Sequence, residues 1–385
     1  MKEKILIVFF ISLSLSLLLN AQVWDEPKEL GSGWCSHEIA YDSDNMTYIV
    51  WPGDDCNISF IKSSNGGGTW SEIRYIGRPY FSENSDIAVD SNNNICVVFE
   101  WSSEFHVHHQ LFFTKSTDKG EDWSNPKQIA FTAYSSAFPC IVIDSNDVIH
   151  VIWNEIIYEP EPPNTKMGVF HISSEDGGET WSDPVCIEKA YESNDDAIID
   201  SQNNIYVFGP LLLDSGEGKD LYCFKSEDAG TCWTYSKIGS LWWPAATVDL
   251  DDTLHVITDN LNDMLYYQYS LDRGETWSEP EAIAFLTGTS FAKDIEVDEG
   301  NNIIVVYQSK SEGNYEIHYI RSPNRGLIWI REWKLTETLR NSFVPTFVID
   351  QNYIIHLVWN EVTEGTFDPD VYYIRGFLRG KRKIK

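Results

Sequence analysis

Positive charge is scarce in this chain. Against 59 Asp plus Glu stand 28 Lys plus Arg in 385 residues, a net charge of −31. A nucleic-acid groove needs a surplus of cations to neutralise phosphates, so that class of partner is excluded. The seven cysteines contain no CxxC pair and no Cys/His spacing of a zinc site. Seven cannot all pair within one chain; Cys35 and Cys56, which flank the first two strands identified below, are the candidate bridge in an oxidising compartment. One apolar run is long enough to notice, residues 5–19, behind Lys2 and Lys4 and ahead of Asn20-Ala21-Gln22. It is short for a membrane span and reads as a secretory signal peptide over residues 1–21. The expectation is a secreted or periplasmic protein, at the cell exterior, with no membrane span once the signal is removed. Aromatics, at 14% with 15 Trp, exclude disorder as the main state.

What the chain does have is self-similarity. Ser-x-Asp-x-Gly-x-Thr-Trp appears as Ser63-Asn65-Gly67-Thr69-Trp70, Ser116-Asp118-Gly120-Asp122-Trp123 and Ser174-Asp176-Gly178-Thr180-Trp181. It returns as Ser226-Asp228-Gly230-Cys232-Trp233, Ser270-Asp272-Gly274-Thr276-Trp277 and Ser322-Asn324-Gly326-Ile328-Trp329. A second motif is an apolar strand ending in Asp, a polar turn and another apolar strand. Its Asp residues are 42, 90, 144, 200, 249, 298 and 350, spaced by 48, 54, 56, 49, 49 and 52. Those are the lengths of four-stranded propeller blades. Each unit reads as four strands, with the Ser/Asp/Gly motif as the hairpin between the third and fourth.

The seventh unit stops after its third strand. Its missing fourth lies at the other end of the chain, where Val23-Trp24-Asp25-Glu26-Pro27 matches Thr276-Trp277-Ser278-Glu279-Pro280. The sequence therefore predicts an all-β fold: a seven-bladed β-propeller of four-stranded antiparallel blades, closed by the N-terminal strand completing the last blade. The propeller is expected over residues 22–376, about 51 residues per blade, with a basic tail over residues 377–385.

The hairpin motif resembles the Asp-box, or bacterial neuraminidase repeat, of the sialidase superfamily. The resemblance implies a propeller that acts on a glycan or polysaccharide, as a glycoside hydrolase if it is an enzyme. In that family the box is a structural turn away from the active site, and typical members have six blades. An active sialidase would also bring three arginines, a Tyr–Glu nucleophile pair and an Asp acid/base. The family's early Arg-Ile-Pro motif is absent, and of ten Arg only Arg78 and Arg340 lie in loops entering first strands.

A packing residue should recur in every blade and a chemical one should break the pattern. His150, His255 and His356 all lie six residues after a turn Asp and read as core; His171 and His318 fall on third strands where Phe and Tyr are usual. His37, His106, His108 and His109 remain. In Phe105-His106-Val107-His108-His109, alternation puts His106 and His108 on one side, beside Glu104, able to supply a base or hold a metal. Four residues before the turn Asp stand Glu38, Asp86, Asp196 and Asp294, where other blades have Cys140, Ala245 and Thr346. Carboxylates around one channel mouth raise each other's pKa, which suits a general acid or a structural Ca2+ site. Glu155 and Glu361, in matching Trp-Asn-Glu triplets, read as repeat structure. Aromatics on the same face, Tyr80, Trp101 and the unique pair Trp242-Trp243, are candidate sugar platforms. Two alternatives stay open: a non-catalytic glycan-binding or protein-interaction propeller, and a polysaccharide lyase with His106 or His108 as base, Tyr134 as acid and Arg78 against the uronate.

Overall fold

The structure, a computed structural model, describes residues 23–33, 36–53, 57–77, 82–103, 108–131, 135–158, 165–188, 197–212, 219–240, 242–259, 263–288, 293–311, 313–363, 365–366 and 369–377. Seven antiparallel sheets follow one another along the chain. Blade 1 is built from Glu38–Tyr41, Thr47–Pro52, Ile58–Ser63 and Arg74–Tyr75. Blades 2 to 7 begin with the first strands Ser82–Val89, Ser135–Ile143, Ala197–Ile199, Trp242–Val248, Lys293–Val297 and Asn341–Ile349. Each first strand touches the first strands of both neighbouring blades, and the seventh touches the first, so these strands form a closed inner ring.

Closure occurs where the sequence places it. Val23 and Trp24 pair with Phe377 and Gly376, and Lys28–Ser32 pairs further along the same last strand, Asp370–Phe377. Blade 7 therefore holds five strands rather than the expected four, because the closing segment is broken into two pieces around Pro27. Trp24 meets Tyr319 of blade 6 edge-on with ring centroids 5.5 Å apart. Trp70, Trp123, Trp181 and Trp329 make the same contact with Tyr373, Phe60, Phe113 and Tyr267 of the preceding blade, at 4.8–5.2 Å. An aromatic wedge between adjacent sheets is thus the unit of blade-to-blade packing.

Two turns repeat because each solves the same backbone problem. Every turn Asp accepts amide hydrogens from the residues two and four positions on, as in Asp42 with Asp44 and Met46 at 2.9 and 2.8 Å. The residue three positions on is left-handed in all seven turns, and six times it is Asn or Asp, which tolerate that conformation. In the outer hairpins the Ser hydroxyl accepts the Gly amide at 2.8–3.0 Å. The Asp or Asn carbonyl or carboxylate oxygen accepts the amide four residues on. The hairpin Gly is required twice over. Gly67 has φ +72°, and a Cβ there would sit 1.6 Å from the Tyr373 hydroxyl oxygen.

The core histidines are placed as expected, but as polar clamps rather than fillers. His255 and His356 are buried; Nδ1 of each lies 2.7 and 2.9 Å from the Tyr267 and Tyr373 hydroxyls, and Nε2 faces the turn carboxylates Asp249 and Asp350 at 3.4 and 3.3 Å. At the same position in blades 1 and 4, the hydroxyls of Tyr48 and Tyr206 donate to Asp42 and Asp200 at 2.8 Å. His150 instead meets His171 at 3.0 Å, and His171 packs against Trp233 where five other blades use Phe or Tyr and blade 4 has Cys223.

Candidate active site

Antiparallel alternation brings two sets of loops to one end of the ring: those joining second to third strands, and those entering each first strand. At that end the first strands are irregular. Bulges interrupt their pairing between Glu83 and Ser85, Ala137 and Cys140, Trp242 and Ala245, and Phe343 and Thr346. The bulges put Asn84, Phe138, Trp243 and Val344 at φ 25°, 52°, 42° and 51°, and Ser36 holds the matching place in blade 1 at 96°. All five lie two residues before the position of Glu38 and Asp86. A bulge re-aims a side chain and tightens the local twist, and bulges concentrate beside sites for that reason.

Between blades 2 and 3 the bulges bracket a cluster. Glu100, on the second strand Ile95–Trp101, is 2% exposed. Its Oε1 accepts the Asn84 side-chain amide at 2.7 Å and the Phe138 backbone amide at 2.6 Å. Oε2 is left for His109, whose Nδ1 lies 2.9 Å away. Oε2 of Glu83 stands 3.8 Å from the same nitrogen, and Glu83 is the half-buried member of a group whose other two are buried. The His109 backbone is laced to blade 3: its amide donates to Ser135 Oγ at 3.1 Å, and its carbonyl accepts the Ser136 amide at 2.9 Å. The hydrogen bond to Glu100 holds the His109 pKa above the ordinary imidazole value, outweighing its burial. Ligand atoms of Glu83, Glu100 and His109 lie within 4.8 Å of one another, a donor set that could also take a metal ion.

Glu100 and Phe138 were not singled out in the sequence. A signal existed: the tenth residue after the turn Asp is Pro52, Glu100, Asn154, Pro210, Asp259, Gln308 and Asn360, a position whose chemistry varies from blade to blade. Gln308 does for blade 7 what Glu100 does for blade 3, accepting the Val344 amide at 3.0 Å. A neutral amide thus suffices for the clasp, and the charge of Glu100 is surplus to it.

Of the carboxylates chosen from the sequence, Glu38, Asp86 and Asp294 lie on the inner ring. Asp86 Oδ2 accepts the Ile141 amide of blade 3 at 2.7 Å, and Oδ1 accepts the Ile87 amide at 2.6 Å. Asp294 repeats this toward blade 7, with Phe347 at 2.9 Å and Ile295 at 2.7 Å. Burial pushes both carboxyls up to about 6, with the amide bonds pulling the other way. The Thr346 hydroxyl reaches Asp294 at 3.2 Å and Glu38 at 3.4 Å, which brings Glu38 and Asp294 together across blade 7.

Arg340 is held within blade 7, with Nη1 2.8 Å from Asp370 and Nη2 donating to the Glu361 carbonyl at 2.7 Å. Arg74, Arg273, Arg325 and Arg375 are likewise paired with acids. Trp101 packs edge-on to Phe112 at 5.3 Å, as part of the wall. Trp243 is half-buried at its bulge. His108 is exposed and left-handed at φ 40°, and the alternation that would pair it with His106 does not extend to it. Glu155 and Glu361 accept the indole N–H of Trp153 and Trp359, at 2.8 and 3.4 Å. Asp196, His106, Tyr134, Tyr80, Arg78, Cys35, Cys56, residues 1–21 and residues 378–385 lie outside the described residues, as does the side chain of Trp242. Cys96, Cys223 and Cys232 are free thiols, and the Cys140 side chain hydrogen-bonds Asp86.

No family model and no curated protein sequence matches the chain. Solved structures do. An ulvan lyase of a polysaccharide lyase family aligns over 91% of this chain and 95% of its own, with 11% identity and a TM-score of 0.64. A protein of unknown function from Dyadobacter fermentans aligns over 92% and 99%, with 15% identity and a TM-score of 0.59. The NanB sialidase of Streptococcus pneumoniae aligns over 92% and 70%, with 13% identity and a TM-score of 0.54. At these identities what is shared is the architecture, and the chain has the fold of a sialidase-like β-propeller.

Proposed function

We propose that this protein cleaves glycans as a glycoside hydrolase, at the end of the ring between blades 2 and 3. The observation that carries the reading is the imidazole of His109 held against the buried carboxylate of Glu100, with Glu83 beside it. The hydrogen bond to Glu100 raises the His109 pKa, so the imidazole holds its proton to higher pH than a free one and can give that proton to the leaving glycosidic oxygen. The glycosidic C–O bond breaks, water adds to the anomeric carbon, and Glu83 takes the water's proton. Glu100 touches no substrate in this scheme; it fixes the imidazole.

Electrostatics supports hydrolysis over the other reactions weighed. Positive charge develops on the sugar in a glycoside-hydrolysis transition state, and two neighbouring carboxylates stabilise it. A lyase develops negative charge, which Glu83 and Glu100 would oppose. The same two acids, the ion-paired arginines and the net charge of −31 favour an uncharged glycan over sialic acid or a uronate. We infer further that residues 1–21 direct secretion and that the propeller spans residues 22–376.

A second hydrolytic reading rests on Asp86 and Asp294, since carboxyls raised to about 6 are suited to proton transfer near neutrality. Reducing-end release from neutral and acidic polysaccharides, compared for wild type, His109→Gln and Asp86→Asn/Asp294→Asn, separates the readings. Release lost in His109→Gln supports the first, and release lost only in the double variant supports the second. Unsaturated uronate products would replace hydrolysis with elimination. Binding without cleavage across the panel would make the protein a lectin.

A further inference from the structure

Of the three bulky residues at the left-handed bulge position, Phe138, Trp243 and Val344, Phe138 is the exposed one. Its backbone is left-handed at φ 52°, a region that aromatic residues seldom occupy, and the residue is 43% exposed. Asn or Gly would adopt this backbone with less strain and present no apolar surface to water, and blade 2 has Asn84 at this place. The ring is thus unfavourable on both local counts. Its setting is fixed: the Phe138 amide is bound by Glu100 Oε1 at 2.6 Å, and the three preceding residues include Ser135 and Ser136, both hydrogen-bonded to the His109 backbone. One carboxylate therefore sets the position of the imidazole with one oxygen and of the Phe138 bulge with the other.

We propose that Phe138 is the sugar-stacking platform of the site, its ring receiving the C–H face of an uncharged hexose or pentose unit next to the bond presented to His109. Flat aromatic surface held rigidly at low entropic cost is the usual means of gripping a pyranose, whose axial C–H groups form an apolar face. Trp243 and Val344 bear the same strain half-buried; what sets Phe138 apart is its exposure, since nothing in the core requires a ring that stands in solvent. This inference rests on the glycan-directed reading above and adds the residue that holds the substrate.

The test is native affinity electrophoresis in gels cast with xylan, galactomannan or mixed-linkage β-glucan, together with thermal melting, for wild type, Phe138→Gly, Phe138→Trp and His109→Gln. The expected result is retardation of wild type by at least one of the three polymers. Phe138→Gly should bind it at least tenfold more weakly with an unchanged or higher melting temperature, and Phe138→Trp should restore retardation. His109→Gln should bind like wild type. Equal retardation of wild type and Phe138→Gly would overturn the platform and leave the hydrolase reading standing. A lower melting temperature in Phe138→Gly would make the ring a packing element and also overturn it. Loss of binding in Phe138→Gly with cleavage intact in His109→Gln would keep the platform and sink the reaction assigned to His109. Wild type retarded by none of the polymers would overturn the neutral-glycan class and the platform together.

Discussion

Replacing Asp86 by Asn should change how stability depends on pH, in a direction fixed by the geometry. In the folded ring the carboxyl titrates at about 6 against an ordinary value of 3.8, because burial penalises the anion more than two amide hydrogen bonds favour it. A carboxyl whose folded pKa is raised binds its proton more tightly in the native state. Native stability from this group is therefore full at or below pH about 4 and is lost as pH rises through about 6. The shift is worth about 3 kcal/mol at roughly 1.4 kcal/mol per pKa unit. Asn has no charge to desolvate. Its one oxygen can still accept the Ile141 amide, but the second acceptor is gone, a loss of about 1 kcal/mol that does not vary with pH. The two effects predict a crossover: Asp86→Asn less stable than wild type by about 1 kcal/mol at pH 4 and more stable by about 2 kcal/mol at pH 7.5. Urea unfolding of both proteins at half-unit steps from pH 4 to 8 measures the gap directly. A gap that stays flat, or one that moves against the variant as pH rises, would mean that the amides of Ile141 and Ile87 outweigh desolvation, and the account of the inner ring would fail.

Three further outcomes follow from the packing and the site. Gly67→Ala drives a Cβ into the Tyr373 hydroxyl at a left-handed backbone position and should cost at least about 3 kcal/mol, seen as a lowered melting temperature. Trp24→Ala removes the wedge against Tyr319 and should cost about 3–5 kcal/mol, with limited proteolysis cutting first near the N-terminal strand if the ring opens there. Glu100→Gln keeps an acceptor for Phe138, as Gln308 does for Val344, but removes the charge that raises the His109 pKa. The alkaline limb of the pH–rate profile should then move to lower pH; an unmoved limb would show that His109 is not the acid.

The scaffold was readable from residue spacing because each repeated turn meets one fixed backbone demand. Asp42 and its six counterparts cap the same two amides, so they recur at blade length whatever surrounds them. Trp24 could be aligned with Trp277 because the closing strand makes the same wedge as the hairpin tryptophans. The site was harder for a related reason. Asp86 and Asp294 depart from the pattern of Cys140 and Thr346, which made them look chemical. The structure shows what that comparison omits, the amide of the next blade that each carboxylate accepts. Glu100 was hidden because its position holds Pro, Asn, Asp and Gln elsewhere, and because the bulge that brings Phe138 to it inserts one residue without any Gly to announce it. His109 was among the four histidines left over, but alternation favoured its neighbours His106 and His108, and His108 is left-handed and outside any strand.

The pairing of Val23 with Phe377 places two residues more than three hundred positions apart side by side in one sheet. During synthesis the earliest strand must wait, unmated, until the latest one has been made, and the molecule has no finished wall until then. New termini cut at one of the outer hairpins, with the old ends joined by a short linker, would convert that late handshake into a local hairpin. Such a permutant should assemble faster than the natural order of blades while keeping every contact described above.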